Sequence, residues 1–435
     1  MEIQGKADRV ELFRFDTPSM RAFHMTWLAF FLCFFSWFAA APLMPIIRKE
    51  FSLTDAQVGN LVIASVAITI LARLLVGRLC DQHGPRLTYT WLLILGSIPV
   101  MCLGLAQDYF SFLALRLAIG AIGASFVITQ FHTTLMFSKK CVGMATATTA
   151  GWGNLGGGVM QMVMPLLFTA LIYFGLAESQ SWRLAMVIPG AFMLVTGILY
   201  YRLTQDTPEG NYSSLRAAGR LAKGPLKKGL FRAAMEDRRV WILALAYGAS
   251  FGLEITMHNL AVLYFLDEYQ LGLKEAGLMA GCFGLMAMFA RPLGGWLSDR
   301  CGLSGGLRGR ALLLGFALFA EGLFLMLFSQ VSSLGLAVVM LACFGLFSDI
   351  ASGANFGIVP FINTRAVGSV AGIVGAGGNL GAVLSGFLFK GSMPWSSAML
   401  LLGSLVAVCS LATLLMQFAP AVDEGLVQAQ PAGVS

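Results

Sequence analysis

The chain has 435 residues, 57% of them hydrophobic and 12% charged, with a net charge of +7 and a mean hydropathy of +0.77. Soluble domains carry about twice that share of charge, so a water-soluble enzyme or binding module is excluded and an integral membrane protein is expected. The excess of basic residues does not indicate nucleic acid, because it falls in short segments between apolar runs.

In chain order, residues 1–24 hold Lys6, Arg9, Arg14 and Arg21 and read as a cytoplasmic tail without a cleavable signal. Twelve apolar runs follow, each long enough to cross a bilayer as a helix: 25–47, 58–80, 88–106, 110–134, 144–174, 185–204, 240–264, 275–298, 310–329, 333–359, 368–391 and 394–417. Segment 205–239, with Pro208, Gly210, eight Lys/Arg and four acids, reads as a cytoplasmic linker between two six-helix bundles, 25–204 and 240–417. Residues 418–435 form a second cytoplasmic tail. With both termini inside, 21 Lys/Arg fall on the inner side and five outside, which fixes the orientation by the positive-inside rule. The other three, Arg73, Arg116 and Arg291, lie within spans. The eight cysteines contain no CxxC pair, so neither a metal site, a disulfide framework nor a cofactor is expected.

The two halves repeat one pattern. "ARLLVGRLCDQHG" (72–84) and "ARPLGGWLSDRCG" (290–302) share seven of thirteen positions, and "GWGNLGGG" (151–158) is answered by "AGGNLGAV" (376–383). The pairs fall on spans 2 and 8 and on spans 5 and 11, an even number of spans apart. The repeats are therefore parallel, as in a two-bundle secondary transporter with its site near the midplane. The fold class expected is all-α.

Arg73 and Arg291 occupy matching mid-membrane positions. A guanidinium there costs about 2.5–3.5 kcal/mol on insertion scales and cannot shed its proton, so it needs a partner. One reading is an ion pair with Glu254, Glu321 or Asp349, the carboxylates buried in spans 7, 9 and 10. The other is a small oxyanion gripped by two facing donor forks. Asn154 and Asn379 can add neutral amide donors, although the glycines beside them also suit close helix packing. Glu321, with no polar neighbours in its segment, could equally pack or face lipid. Arg116, near the outer end of span 4, is read as snorkelling to the interface.

Span 7 places Tyr247, Phe251, Glu254 and His258 on one helical stripe. Glu254 is a candidate proton carrier and His258 a cavity residue rather than a metal ligand. Asp81 and Asp299, at the inner ends of spans 2 and 8, are candidate gating residues that bond neighbouring helix ends.

The inner-loop motifs "GRLCDQHGPR" and "GWLSDRCG" resemble the signature of the major facilitator superfamily. Together with "TWLAFFLCFFSWFAAAPLMP" (26–45), the arginine pair and both "GNLG" segments, the chain resembles the nitrate/nitrite porter family within it, over residues 25–417. The resemblance implies that Arg73 and Arg291 clamp nitrate or nitrite and that Asn154 and Asn379 belong to the nitrate signatures. It also implies that Tyr247, Phe251 and Phe126 (in "GASFVITQF") close the site. "FGLEITMHNLAVLYF" (251–265) is similar to the high-affinity uptake branch, which implies proton symport, whereas the respiratory branch includes nitrate/nitrite exchangers. The short central loop and tail depart from the eukaryotic pattern and imply a bacterial inner-membrane protein; a monomer is expected. From the residues alone, two arginines would serve phosphate or a dicarboxylate as well as nitrate. A non-transporting anion sensor lacks any appended signalling domain, and a membrane enzyme lacks a nucleophile–base pair.

Overall fold

A computed structural model describes residues 4–138, 141–220, 230–363, 367–391 and 393–418, except for the side chains of residues 81, 230, 367 and 368. Among the described residues there are helices, turns and two isolated bridges, and no strand. Ten helical stretches are long and apolar enough to cross a membrane. One of them, Leu273–Gln330, spans twice, because Gly306 (φ 59°, ψ −149°) folds the chain back and brings Gly309 against the Cys301 carbonyl. Pro18–Phe38, whose first turns carry Arg21 and His24, supplies the remaining span. The twelve expected spans are therefore present.

Their ranges are span 1, Pro18–Phe38; span 2, Asp55–His83; span 3, Pro85–Cys102; span 4, Tyr109–Met136; span 5, Val142–Tyr173; and span 6, Glu178–Leu203. The second half has span 7, Arg238–Tyr269; span 8, 273–305; span 9, 307–330; span 10, Leu334–Ile362; span 11, Val367–Leu388; and span 12, Trp395–Leu411.

Two boundaries differ from expectation for local reasons. Span 1 starts seven residues early because Thr17 accepts a hydrogen bond from the Met20 amide, with Pro18 at the first helical position. It stops at Phe38 because Pro42 bars a helix across 38–41; a separate short helix, Met44–Phe51, follows. The expected loop between spans 8 and 9 is helical except at Gly306. Spans 2 and 3 are likewise joined through one residue, Gly84 (φ 86°, ψ 158°). Both turns use a positive φ that only glycine adopts without strain.

The packing repeats between halves. Span 1 lies on span 5, span 2 on span 4 and span 3 on span 6; span 7 lies on span 11, span 8 on span 10 and span 9 on span 12. The bundles meet through spans 2 and 11 and through spans 5 and 8, contacts that exchange under the same six-span shift. Small residues make the approaches within each half possible: a Cβ on Gly156 would overlap the Phe31 carbonyl of span 1, and one on Gly381 would overlap the Gly248 carbonyl of span 7. The midplane between the bundles is thus lined by spans 1, 2, 4 and 5 from one half and by 7, 8, 10 and 11 from the other.

Candidate functional site

The span 7 stripe faces this midplane, and Tyr247, Phe251, Glu254 and His258 are all buried. Tyr247 stacks on Phe251, with ring centroids 4.9 Å apart and planes 7° from parallel. The Phe251 ring in turn carries both arginines, with the Arg73 guanidinium carbon 5.6 Å from its centroid and that of Arg291 5.5 Å. Two like charges share one ring, so each gains from its quadrupole while they repel each other. Phe126 lies 5.6 Å from Arg73.

The two arginines are held differently. Arg291 Nη2 donates to Glu254 Oε2 at 3.1 Å, and its Nε lies 3.3 Å from Asp349 Oδ1. Arg73 meets no carboxylate among the described residues. Its Nη1 donates to the Gly375 carbonyl at 2.6 Å, while Nε and Nη2 have no hydrogen-bond partner among the described residues. The ion-pair reading therefore holds for Arg291 and fails for Arg73. The centre brings two guanidiniums together with two carboxyl groups, so Asp349 can add to the balance that Glu254 alone would leave incomplete.

Both asparagines reach this network. Asn154 Nδ2 donates to Glu254 Oε1 at 3.2 Å, and its Oδ1 is unpartnered. Asn379 Nδ2 donates to the Gly375 carbonyl at 3.3 Å, so it touches the same acceptor as Arg73; its Oδ1 is also unpartnered.

Several expectations need correction. Arg116 does not snorkel. It is 1% exposed, donating Nη1 to the Trp37 carbonyl at 2.8 Å and Nη2 to Asn259 Oδ1 at 2.9 Å. His258 sits among the rings of Phe34, Phe38 and Phe283 rather than in polar surroundings, with its Nε2 3.8 Å from Glu254 Oε1. Glu321 is fully buried, which excludes a lipid-facing position. Asp299 bonds Arg310 at 2.8 Å, and Arg310 also donates to Ser298 and to the Gly357 carbonyl. Asp299 thus bonds the neighbouring end of span 9 as expected, and these contacts stay within one bundle. The Asp81 side chain lies outside the described residues.

The sequence reading missed Phe356. It packs edge-on against Tyr247 at 5.0 Å and against Phe126 at 5.5 Å, completing an aromatic wall from spans 4, 7 and 10. The signal was available as a third internal repeat: "GASFVITQF" (123–131) and "GANFGIVPF" (353–361) agree at five of nine positions. Phe126 and Phe356 are thus partners under the shift that pairs Arg73 with Arg291 and Asn154 with Asn379.

Comparison with known proteins agrees with this fold. The Major Facilitator Superfamily pattern matches residues 26–362 and 247–433. The chain is 39% identical over 420 residues to the high affinity nitrate transporter 2.5 of Arabidopsis thaliana, covering 96% of this chain and 84% of that protein. It is 39% identical over 399 residues to nitrate transporter 2.1 of Chlamydomonas reinhardtii, covering 91% and 73%. Against the nitrate/nitrite transporter NrtP of Nostoc punctiforme the identity is 28% over 446 residues, covering 86% and 87%. Its fold is similar to the crystal structure of a bacterial homolog of the human lysosomal transporter Spinster, inward-facing and unoccupied, with a TM-score of 0.65 at 18% identity over 95% of this chain and 98% of the other. A two-bundle helical fold repeated in parallel, two midplane arginines and these relatives converge: the chain is a multi-pass membrane transporter, not an enzyme, and belongs to the nitrate/nitrite porter family of the major facilitator superfamily.

Proposed function

We propose that the protein carries nitrate, and with it nitrite, across the membrane by alternating access, with proton-coupled uptake. The observation that carries the reading is the single Phe251 ring shared by two guanidiniums, one of which, Arg73, keeps two donor nitrogens unpartnered among the described residues. A flat, weakly hydrated, singly charged oxyanion fits a planar donor fork beside aromatic faces. The names of the relatives support nitrate over phosphate or a dicarboxylate.

Proton coupling follows from the charge count. Arg291 is engaged by Glu254 Oε2, and an incoming anion competes with that oxygen for the same fork. A proton on Glu254 weakens its hold on Arg291, so the guanidinium turns to the anion and the site gains no net charge. Exchange of nitrate for nitrite uses the same arginines but needs no change at Glu254. The face carrying the linker is taken as cytoplasmic on the placement of basic residues, and the short linker supports a bacterial cytoplasmic membrane as the setting.

Uptake of labelled nitrate by the purified full chain in proteoliposomes decides between the two modes. Symport predicts accumulation in vesicles without internal nitrite when the outside is made acid. Uptake only into vesicles preloaded with nitrite, indifferent to the pH gradient, would establish exchange instead.

The asparagines give a second check. Asn154→Ala removes the donor to Glu254 Oε1 and Asn379→Ala the donor beside Arg73, and each is expected to cut transport at matched protein levels. Both variants transporting like the parent would assign these segments to glycine packing alone.

A further inference from the structure

Arg116 is a third arginine buried between the bundles, and the site described above does not use it. At about 1.5 Å per residue it lies roughly 10 Å from the start of span 4, on the side of the centre away from the linker. Its two hydrogen-bond acceptors are neutral, its Nε has no partner, and no carboxylate lies within ion-pairing distance among the described residues. Three spans of the first bundle build its holder. Trp37 of span 1 accepts through its carbonyl, and its indole donates to the Ser65 carbonyl of span 2 at 2.5 Å. Thr69 of span 2 also ties down the Gly120 carbonyl of span 4 at 2.6 Å.

The second bundle contributes one polar group, Asn259 of span 7. Its Nδ2 is occupied by the Ile255 carbonyl at 3.0 Å, which aims Oδ1 at Arg116; Ser65 Oγ lies 3.5 Å from the same oxygen. Asn259 follows His258 directly and stands five residues along the helix from Glu254. Farther out, Arg48 and Asp267 approach across the bundles at 3.9 Å. Alternating access must part the bundles on this face in one half of the cycle, and Asn259 must then leave Arg116. The guanidinium stays with the rigid holder, turning Nη2 and Nε toward the open cleft.

We propose that Arg116 is an entry site for the transported oxyanion on the face opposite the linker, its guanidinium exchanging Asn259 for the anion when the bundles part. The anion then passes one to two turns along span 7 to the central arginines, and Asn259 returns as the cleft closes. A cation fixed in a narrow, low-dielectric mouth also raises the local anion concentration.

The proposal rests on nitrate as substrate, so the parent protein is the control. The full chain is reconstituted, and the apparent KM for labelled nitrate counterflow is measured at each face. A bond that merely held the cleft shut would, when lost, favour the open state and lower the KM on the opposite face. Asn259→Ala is expected to do that. Arg116→Gln is expected to act with the contrary sign, raising that KM about tenfold while leaving the KM at the linker face within twofold. Arg116→Lys, which keeps the charge but loses the fork, is expected to raise it about threefold and covers the case in which the glutamine variant does not fold. A KM on the opposite face that falls or stays unchanged in the arginine variants overturns the proposal and leaves Arg116 as a latch. No nitrate counterflow by the parent would instead overturn the substrate reading.

Discussion

Arg73→Lys is expected to weaken nitrate binding at least tenfold, about 1.4 kcal/mol, at unchanged protein stability. The stability half of this expectation comes from the structure: Arg73 holds a backbone carbonyl and no carboxylate, so lysine strands no buried anion. Arg291→Lys is expected to lose affinity to a similar degree but also to lower the melting temperature. Glu254 and Asp349 both lean on the Arg291 fork, and a compact ammonium lacks the spread between Nη2 and Nε that meets Oε2 and Oδ1. Breaking a buried ion pair costs about 3–5 kcal/mol when a partner is removed outright, which sets the upper end of the loss. Nitrate titration and thermal unfolding of both variants separate the two effects. Near-normal affinity in both would remove the arginines from the anion site.

Glu254→Gln fixes the neutral form of the proposed proton carrier and keeps an oxygen within reach of Asn154. It is expected to abolish accumulation driven by an outside-acid gradient while nitrate counterflow persists. Its nitrate affinity should also become nearly independent of pH, at or above the parent's value in alkaline medium, since no carboxylate competes for Arg291. The sign follows from the competition: protonating Glu254 releases the guanidinium, so the parent binds better as pH falls and the glutamine variant has nothing left to release. If Glu254→Gln still concentrates nitrate against a gradient, the proton travels by another group. Asp349 is then the first to test, because its contact with Arg291 Nε lacks hydrogen-bond geometry.

The spans, the parallel repeat and the arginine pair were legible in the sequence because each is a one-dimensional signal: a run of apolar residues, a recurring string, a charge where charge is costly. The helical stripe of span 7 was legible for the same reason, since the 3.6-residue period sets it. What depended on the distance between different spans was not. Nothing local to Arg116 distinguishes a side chain that reaches the membrane interface from one that turns inward to Trp37 and Asn259. Glu254, Glu321 and Asp349 are equally buried carboxylates in sequence, and only packing shows that the first and third meet Arg291 while the second does not. Phe356 was within reach through the repeat "GASFVITQF"/"GANFGIVPF", but in an apolar span a lone phenylalanine carries no signal beyond core packing.

The turns at Gly84 and Gly306 bear on the mechanics of transport. Each reverses the chain within a single residue, so spans 2 and 3, and likewise spans 8 and 9, have no spare backbone between them. One member of such a pair cannot slide along the other; a push on the first swings the second about the turn, as in a lever with a fixed fulcrum. Arg73 and Arg291 ride on spans 2 and 8, whose fulcrums lie at the linker face and whose free ends point to the opposite face. A small rearrangement around an anion at the midplane would thereby be magnified toward the face opposite the linker, with the glycine turns setting the gain.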